Sequence, residues 1–138
     1  MATTSVNGWE LGAGSDLRDR LTFPTFADCP GDHELDPRYY TEVSDTVAQY
    51  SRHWCSLSQI VSVENFTRLV LNVRDMAGRD LRVACYDDRR GAKFIQDAKP
   101  GRTVAVLCGL QHHFMDGSFG FRVEEDDEMA VSLPSQSL

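Results

Sequence analysis

At Cys55 the spacing of apolar residues changes, and that change constrains the fold more than any other feature of the chain. Before it, Tyr40, Val43, Val47, Tyr50 and Trp54 recur at steps of three and four, the period of one helix face. After it, Leu57, Gln59 and Val61 alternate with Ser58, Ile60 and Ser62, and Leu69, Leu71 and Val73 alternate with Arg68, Val70 and Asn72. Alternation of this kind sends successive side chains to opposite faces of a strand. Asp75-Met76-Ala77-Gly78 reads as a turn, beyond which Leu81, Val83 and Cys85 share a face, so a hairpin is expected. Gly91 to Ala98 has room only for a short helix carrying Phe94 and Ile95, with Asp88 placed to cap it. Lys99-Pro100-Gly101 turns the chain into the apolar run Val104 to Leu110, and Asp116-Gly117 separates that run from Phe119 to Val123 and a last strand within Met129 to Leu133. The expected order is three strands, a short helix, then two or three strands.

The earlier residues add an arm and a helix to this mainly β plan. From Met1 to about Leu35, Gly8, Gly12, Gly14, Gly31, Pro24 and Pro30 interrupt every apolar pattern, which predicts an irregular arm (1–35). Trp9, Leu11, Leu17, Leu21, Phe23 and Phe26 are too many large apolar groups for a solvated tail, so the arm is expected to wrap over the domain. Asp36-Pro37 is an N-cap followed by proline at the first helical position and predicts one amphipathic helix over 36–53, with the β domain over 54–134. At 138 residues the chain fits a single domain, 1–138, able to bury about two thirds of its surface.

Three strands, a short helix and two closing strands is the element order of the OB barrel. The second half, "LNVRDMAGRDLRVACYDD" followed by "KPGRTVAVLCGLQHHFMDGSFGFRVEEDDEMAVSLP", resembles the OB-like domain of fungal proteins that also carry TPR, SET or MYND-finger segments. The resemblance covers roughly Arg68 to Pro134. In that family a Pro-Gly or Lys-Gly turn introduces a "TVAVL" strand, and a His-Phe-x-Asp-Gly turn leads to a "GxRVE" strand. The MYND cysteine cluster has no counterpart in this sequence. The resemblance implies a small OB-like curled antiparallel barrel and a fungal lineage, and it supplies no catalytic residues.

Cys29, Cys55, Cys85 and Cys108 are scattered, two of them inside apolar runs, which favours free buried thiols over a disulfide framework. Cys29, His33, His53 and Cys55 are zinc-type ligands at spacings that do not match common structural sites, so no metal is expected. His112 and His113 leave a strand on opposite faces, and one of them, with Asp116 close by, can hold or move a proton at a barrel mouth. Tyr86, with Asp87 and Asp88, closes the third strand where the loops of such a barrel gather. The absence of a Gly-Lys-Ser/Thr phosphate loop, a Gly-x-Ser-x-Gly elbow, a His-Glu-x-x-His pair and a dinucleotide glycine pattern argues against familiar cofactor chemistry, and no cofactor is expected.

Charge divides the partners. The net charge is −7, distributed as −6 over residues 1–50, +4 over 51–123 and −5 over Glu124-Glu125-Asp126-Asp127-Glu128. Arg79, Arg82, Arg89, Arg90 and Lys93 surround Tyr86 in sequence, the residue types that single-stranded nucleic acid needs, but the acidic arm and tail compete for them and make nucleic acid the less favoured partner. The leading expectation is a hydrophobic small molecule bound between the arm and the barrel by Trp9, Phe23, Phe26, Tyr40 and Trp54. His112, His113, Tyr86 and Asp116 would then serve a cofactor-free cyclase or isomerase of fungal secondary metabolism. The alternative is a stand-alone protein-interaction module of OB type, with a protein partner or homo-oligomer. No basic, apolar leader and no membrane-length apolar run is present, which points to the cytoplasm.

Overall fold

A computed structural model describes residues 3–6, 9–13, 17–32, 34–45 and 47–132. Strands β1 (Thr3–Val6) and β2 (Trp9–Ala13) pair as a hairpin, where the sequence predicts irregular chain. A second hairpin, β3 (Tyr40–Ser44) and β4 (Val47–Tyr50), replaces the amphipathic helix expected over 36–53. The physical reason lies in residues that suit both periods. Tyr40 and Tyr50 sit opposite each other across the hairpin with ring centroids 5.0 Å apart, while Val43 and Val47, needed for a buried helix face, are exposed. Thr41, Val43 and Val47 are β-branched and favour the extended backbone. Asp36 and Pro37 open a turn instead, with the Asp36 carbonyl accepting from the amides of Tyr39 and Tyr40.

From β5 (Cys55–Asn65) onward the predicted strands form. β6 (Leu69–Asp75) and β7 (Asp80–Cys85) complete an antiparallel meander with β5. β8 (Thr103–Leu107) pairs with the other edge of β5, and β11 (Met129–Val131) with β8. β10 (Phe119–Val123) runs parallel to β7 and antiparallel to the two-residue β9 (His112–His113), so the sheet is mixed and not wholly antiparallel as expected. The order is β11-β8-β5-β6-β7-β10-β9.

That order forces the sheet to curl. β8 and β9 are five strand spacings apart, about 24 Å if flat, yet the chain from Leu107 to His112 reaches at most about 18 Å. The kink between them holds Cys108 in the left-handed region, φ 49°. No ladder joins β8 to β9 among the described residues, so the sheet curls without closing into a hydrogen-bonded barrel. The arrangement is an OB-like β fold.

Alternation assigns the inner face as expected: Leu69, Leu71, Val73, Val83 and Val106 lie in one core with Phe121, Val123 and Trp54, and Leu110 packs against it. A bulge between Ile60 and Ser62 resets the face of β5, so the inward set passes from Ile60 to Val63 while Val61 is exposed. The short helix shrinks to a 3₁₀ turn, Ala92–Phe94, and Asp87, not Asp88, accepts the Gly91 amide there at 2.9 Å. At Gly120 an added Cβ would fall on the Arg82 carbonyl oxygen, so only glycine lets β10 lie this close to β7.

The arm between residues 17 and 32 stoppers the curled sheet. Phe26 enters the core with its ring 5.2 Å from Phe121, and Phe23 packs on Cys55, Leu57, Ala105 and Leu107. Asp75 accepts from the Phe26 amide at 2.9 Å, and from the amides of Ala77 and Arg79 within its own turn. The Gln111 side-chain amide donates to the carbonyls of Phe26, Ala27 and Cys29 at 2.9, 3.0 and 2.9 Å.

Candidate functional site

The residues expected to line a small-molecule pocket are mostly structural. Phe23, Phe26 and Trp54 are buried. Trp54 donates through Nε1 to the Gly109 carbonyl at 3.0 Å, and the Tyr39, Tyr50 and Tyr40 rings surround it at 4.4, 5.8 and 6.1 Å. Tyr40 is half-buried, and burial raises its hydroxyl pKa. The Trp9 side chain lies outside the described residues, as does His33. Aromatic burial of this kind holds the arm and the β3–β4 hairpin on the sheet, and the hollow of about 300 Å³ between Leu17 of the arm and the sheet contains none of these aromatics among the described residues.

Nor do the expected catalytic residues converge. His112 Nδ1 sits 2.7 Å from Asp32 Oδ2, tying the kinked strand to the arm. It lines a depression of about 440 Å³ with Asp32, Glu124 and Glu128, three carboxylates. His113 turns the other way, its ring 4.1 Å from Phe119. Tyr86 and Asp116 share a different groove with neither histidine. Among the described residues no cluster of three or more His, Cys, Asp or Glu side chains can hold a metal ion. Cys29 and Cys55 lie in separate apolar clusters. Burial pushes the thiols of Cys55 and Cys85 up to about 12 and that of Cys108 to about 11, and raises Cys29 further, so none is a nucleophile near neutrality.

The groove that does gather chemistry lies on the outer face of β6, β7 and β10, with a volume of about 380 Å³. Outward positions on β6 and β7 pair as Val70 with Ala84 and Asn72 with Arg82, which sets Arg68 opposite Tyr86. On the far side β10 brings Arg122 opposite Ala84. The result is a row across three strands, in which the Tyr86 ring carries the Arg68 guanidinium at 3.8 Å and the Arg122 guanidinium at 4.2 Å. Arg82 lies 5.3 Å from the Phe114 ring and pairs with Asp116 at 2.7 Å. The Ser118 hydroxyl and amide, and the Arg82 charge, hold the Asp116 carboxyl below the usual carboxylate range.

Two loops form the walls. Phe66 stands 94% exposed at the tip of the β5–β6 loop, and Met115 is fully exposed in the loop before β10. Each is a large apolar side chain held in water with no packing reason to be there. Of the basic residues singled out in the sequence, only Arg82 lines this groove. Arg79 turns instead over Phe26 and Phe119, at 5.1 and 5.3 Å. Arg89, Arg90 and Lys93 are exposed in the loop after β7, where the Arg90 carbonyl accepts from Leu69 at the start of β6. Sequence reasoning missed Arg68 and Arg122. Arg68 was open to inference, since it and Tyr86 are each nine residues from Ala77 at the centre of the hairpin. Arg122 was not, because a parallel pairing between β7 and β10 leaves no local pattern.

The chain is similar to a chain in the crystal structure of the S. pombe Stn1–Ten1 complex, with a TM-score of 0.44 and 16% identity, covering 80% of this chain and 78% of that chain. No family model matches, and no curated protein matches. The expectation of a cofactor-free cyclase or isomerase of secondary metabolism is corrected. Phe23, Phe26 and Trp54, meant for a ligand, are buried in the core, and the four polar residues meant for catalysis are divided among separate places. No helix among the described residues is long and apolar enough to cross a membrane.

Proposed function

We propose that this protein is a non-catalytic OB-type recognition module that binds single-stranded nucleic acid across the outer face of β6, β7 and β10. The observation that carries this reading is the Arg68–Tyr86–Arg122 row, a guanidinium on each side of one ring. Such a row offers what an unstacked strand needs, cations for phosphate and flat π surfaces for bases. Its place also matters: the middle-strand face and the loops on its two sides are where OB folds bind oligonucleotides. The larger depression beside His112 also meets Arg122, but three carboxylates, Asp32, Glu124 and Glu128, line it, against two, Glu64 and Asp116, in the groove that holds both Arg68 and Arg82.

Anisotropy of a labelled 12-mer oligothymidine tests the reading. Binding should weaken with salt by about 0.7 log unit per phosphate contact for each log unit of salt, and Tyr86→Ala should weaken it about tenfold or more. Saturable binding that Tyr86→Ala leaves unchanged would refute the groove, and no binding at low salt would refute the ligand. A second reading, docking of a protein partner, rests on the exposed Phe66 and Met115. It predicts that Phe66→Ala with Met115→Ala abolishes capture of that partner while salt has little effect. We also propose kinship with the OB-like domain of the fungal proteins resembled over Arg68 to Pro134, and a cytoplasmic or nuclear setting, which four free buried thiols suit.

A further inference from the structure

Three guanidinium groups serve this face, Arg68 and Arg82 lining the groove beside Glu64 and Arg122 at its border with the His112 depression, and they are not equally available. Arg82 Nη1 meets Asp116 Oδ2 at 2.7 Å, and the Ser118 amide and hydroxyl steady that carboxylate at 2.9 and 2.6 Å. Arg122 Nε meets Glu124 Oε1 at 3.0 Å. Arg68 has no carboxylate partner among the described residues; its Nη1 donates to the Cys85 carbonyl at 3.3 Å while its plane lies on Tyr86. A phosphate entering the groove therefore meets one free cation and two that already hold an anion. Both carboxylates are more than half exposed, 58% and 63%, so a ligand can displace them without opening the fold.

Resting on the nucleic-acid reading above, we infer that Asp116 and Glu124 are specificity-determining residues that bias the groove against duplexes. Two of the three phosphate-binding groups are opposed, so phosphate contacts alone give little affinity, and the ligand must add base faces for Phe66, Phe114 and the guanidinium planes that Tyr86 carries. A single strand brings both, whereas a duplex keeps its bases stacked and brings chiefly phosphate. The duplex also carries twice the phosphate charge per unit length, so the repulsion of each fixed carboxylate falls about twice as heavily on it in free energy. The rest of the surface acts in the same sense, through the acidic run Glu124 to Glu128 and the net charge of −7.

The test compares a labelled 12-mer single strand and the matching 12-base-pair duplex against the full chain, as wild type, Asp116→Asn, Glu124→Gln and the double variant, each checked for an unchanged melting temperature. Exposed ion pairs are weak, so the double variant should gain about threefold for the single strand and, as the square of that factor, about tenfold for the duplex. Its salt dependence should steepen by about 0.7 per released arginine on the single strand. Equal gains on the two ligands, or no gain on either while the wild type still binds the single strand, overturn the inference and leave the groove intact. If the wild type binds no single strand at low salt, the groove reading fails and the inference falls with it.

Discussion

The outer surface of the curled sheet has two halves built from the same alternation, and they have opposite fates. Along β5 and β8 the outward residues Cys55, Leu57, Ala105 and Leu107 are apolar and buried, because Phe23 of the arm lies on them. Along β6, β7 and β10 the outward positions hold Arg68, Arg82, Tyr86 and Arg122, and no described residue of the arm lines that groove. A period of two says which side chains share a face, but it does not say whether that face is wet. The route of a neighbouring segment decides, and here the arm, fastened by Asp75 and Gln111, covers one half and leaves the other for a partner.

The largest effect is expected where the open half is joined. Gly120→Val places a side chain on the Arg82 carbonyl and should separate β10 from β7, costing about 4 kcal/mol or more in urea unfolding. If the variant retains wild-type stability, the close parallel pairing is not what holds the groove together. Next comes the covered half: Phe23→Ala should cost about 3 kcal/mol by stripping the cover from Leu57 and Leu107, yet leave oligothymidine binding per folded molecule unchanged. A loss of binding in proportion to stability would show that the halves are coupled.

Tyr86→Ala should do the reverse. It is expected to weaken oligonucleotide binding by about 1–3 kcal/mol with little change in melting temperature, since the side chain is only half-buried on the outer face. The smallest effect belongs to Glu128, whose side chain accepts from the Glu124 and Glu125 amides at the join between β10 and β11. Burial raises its carboxyl above the ordinary 4.5, against those two amides, which lower it. The folded state therefore binds this proton more tightly than the unfolded chain, and the corresponding stability is present below pH 4.5 and lost as pH rises through the folded value. Glu128→Gln keeps an acceptor oxygen and removes the charge, so urea midpoints should fall less for the variant than for wild type as pH rises toward neutrality.

The legible part of this molecule was the part written in local periods. Leu69, Leu71, Val73 and Val83 could be placed in the core because each belongs to an alternation, and Val106 because it sits inside the apolar run Val104 to Leu110. The β3–β4 hairpin was misread because Tyr40 and Tyr50, ten residues apart, fit both a helical stripe and a cross-strand pair, and only Trp54 and Tyr39 in the folded core choose between them. In the groove, Tyr86, Asp116 and Arg82 were visible as residue types of interest, and Arg68 was missed although the hairpin's symmetry sets it opposite Tyr86. Their partner Arg122 depends on a parallel pairing 38 residues away, which no spacing announces. His112 misled because a histidine beside a turn looks the same whether it faces solvent, a substrate or, as here, Asp32 of the arm.

The fastening of the arm has a consequence for divergence. Asp75 and Gln111 address peptide groups, the Phe26 amide on one side and the carbonyls of Phe26, Ala27 and Cys29 on the other. The Tyr39 hydroxyl likewise donates to the Leu21 carbonyl. A main-chain address reads the same whatever side chain is attached, so exposed arm positions such as Ala27 and Asp28 can drift while the path of the arm over the sheet persists. Descendants of a common ancestor would then keep the aspartate at the end of β6 and the glutamine after the kink long after their arms had ceased to resemble one another, and those two residues, not the arm, are the marks by which to trace the lineage.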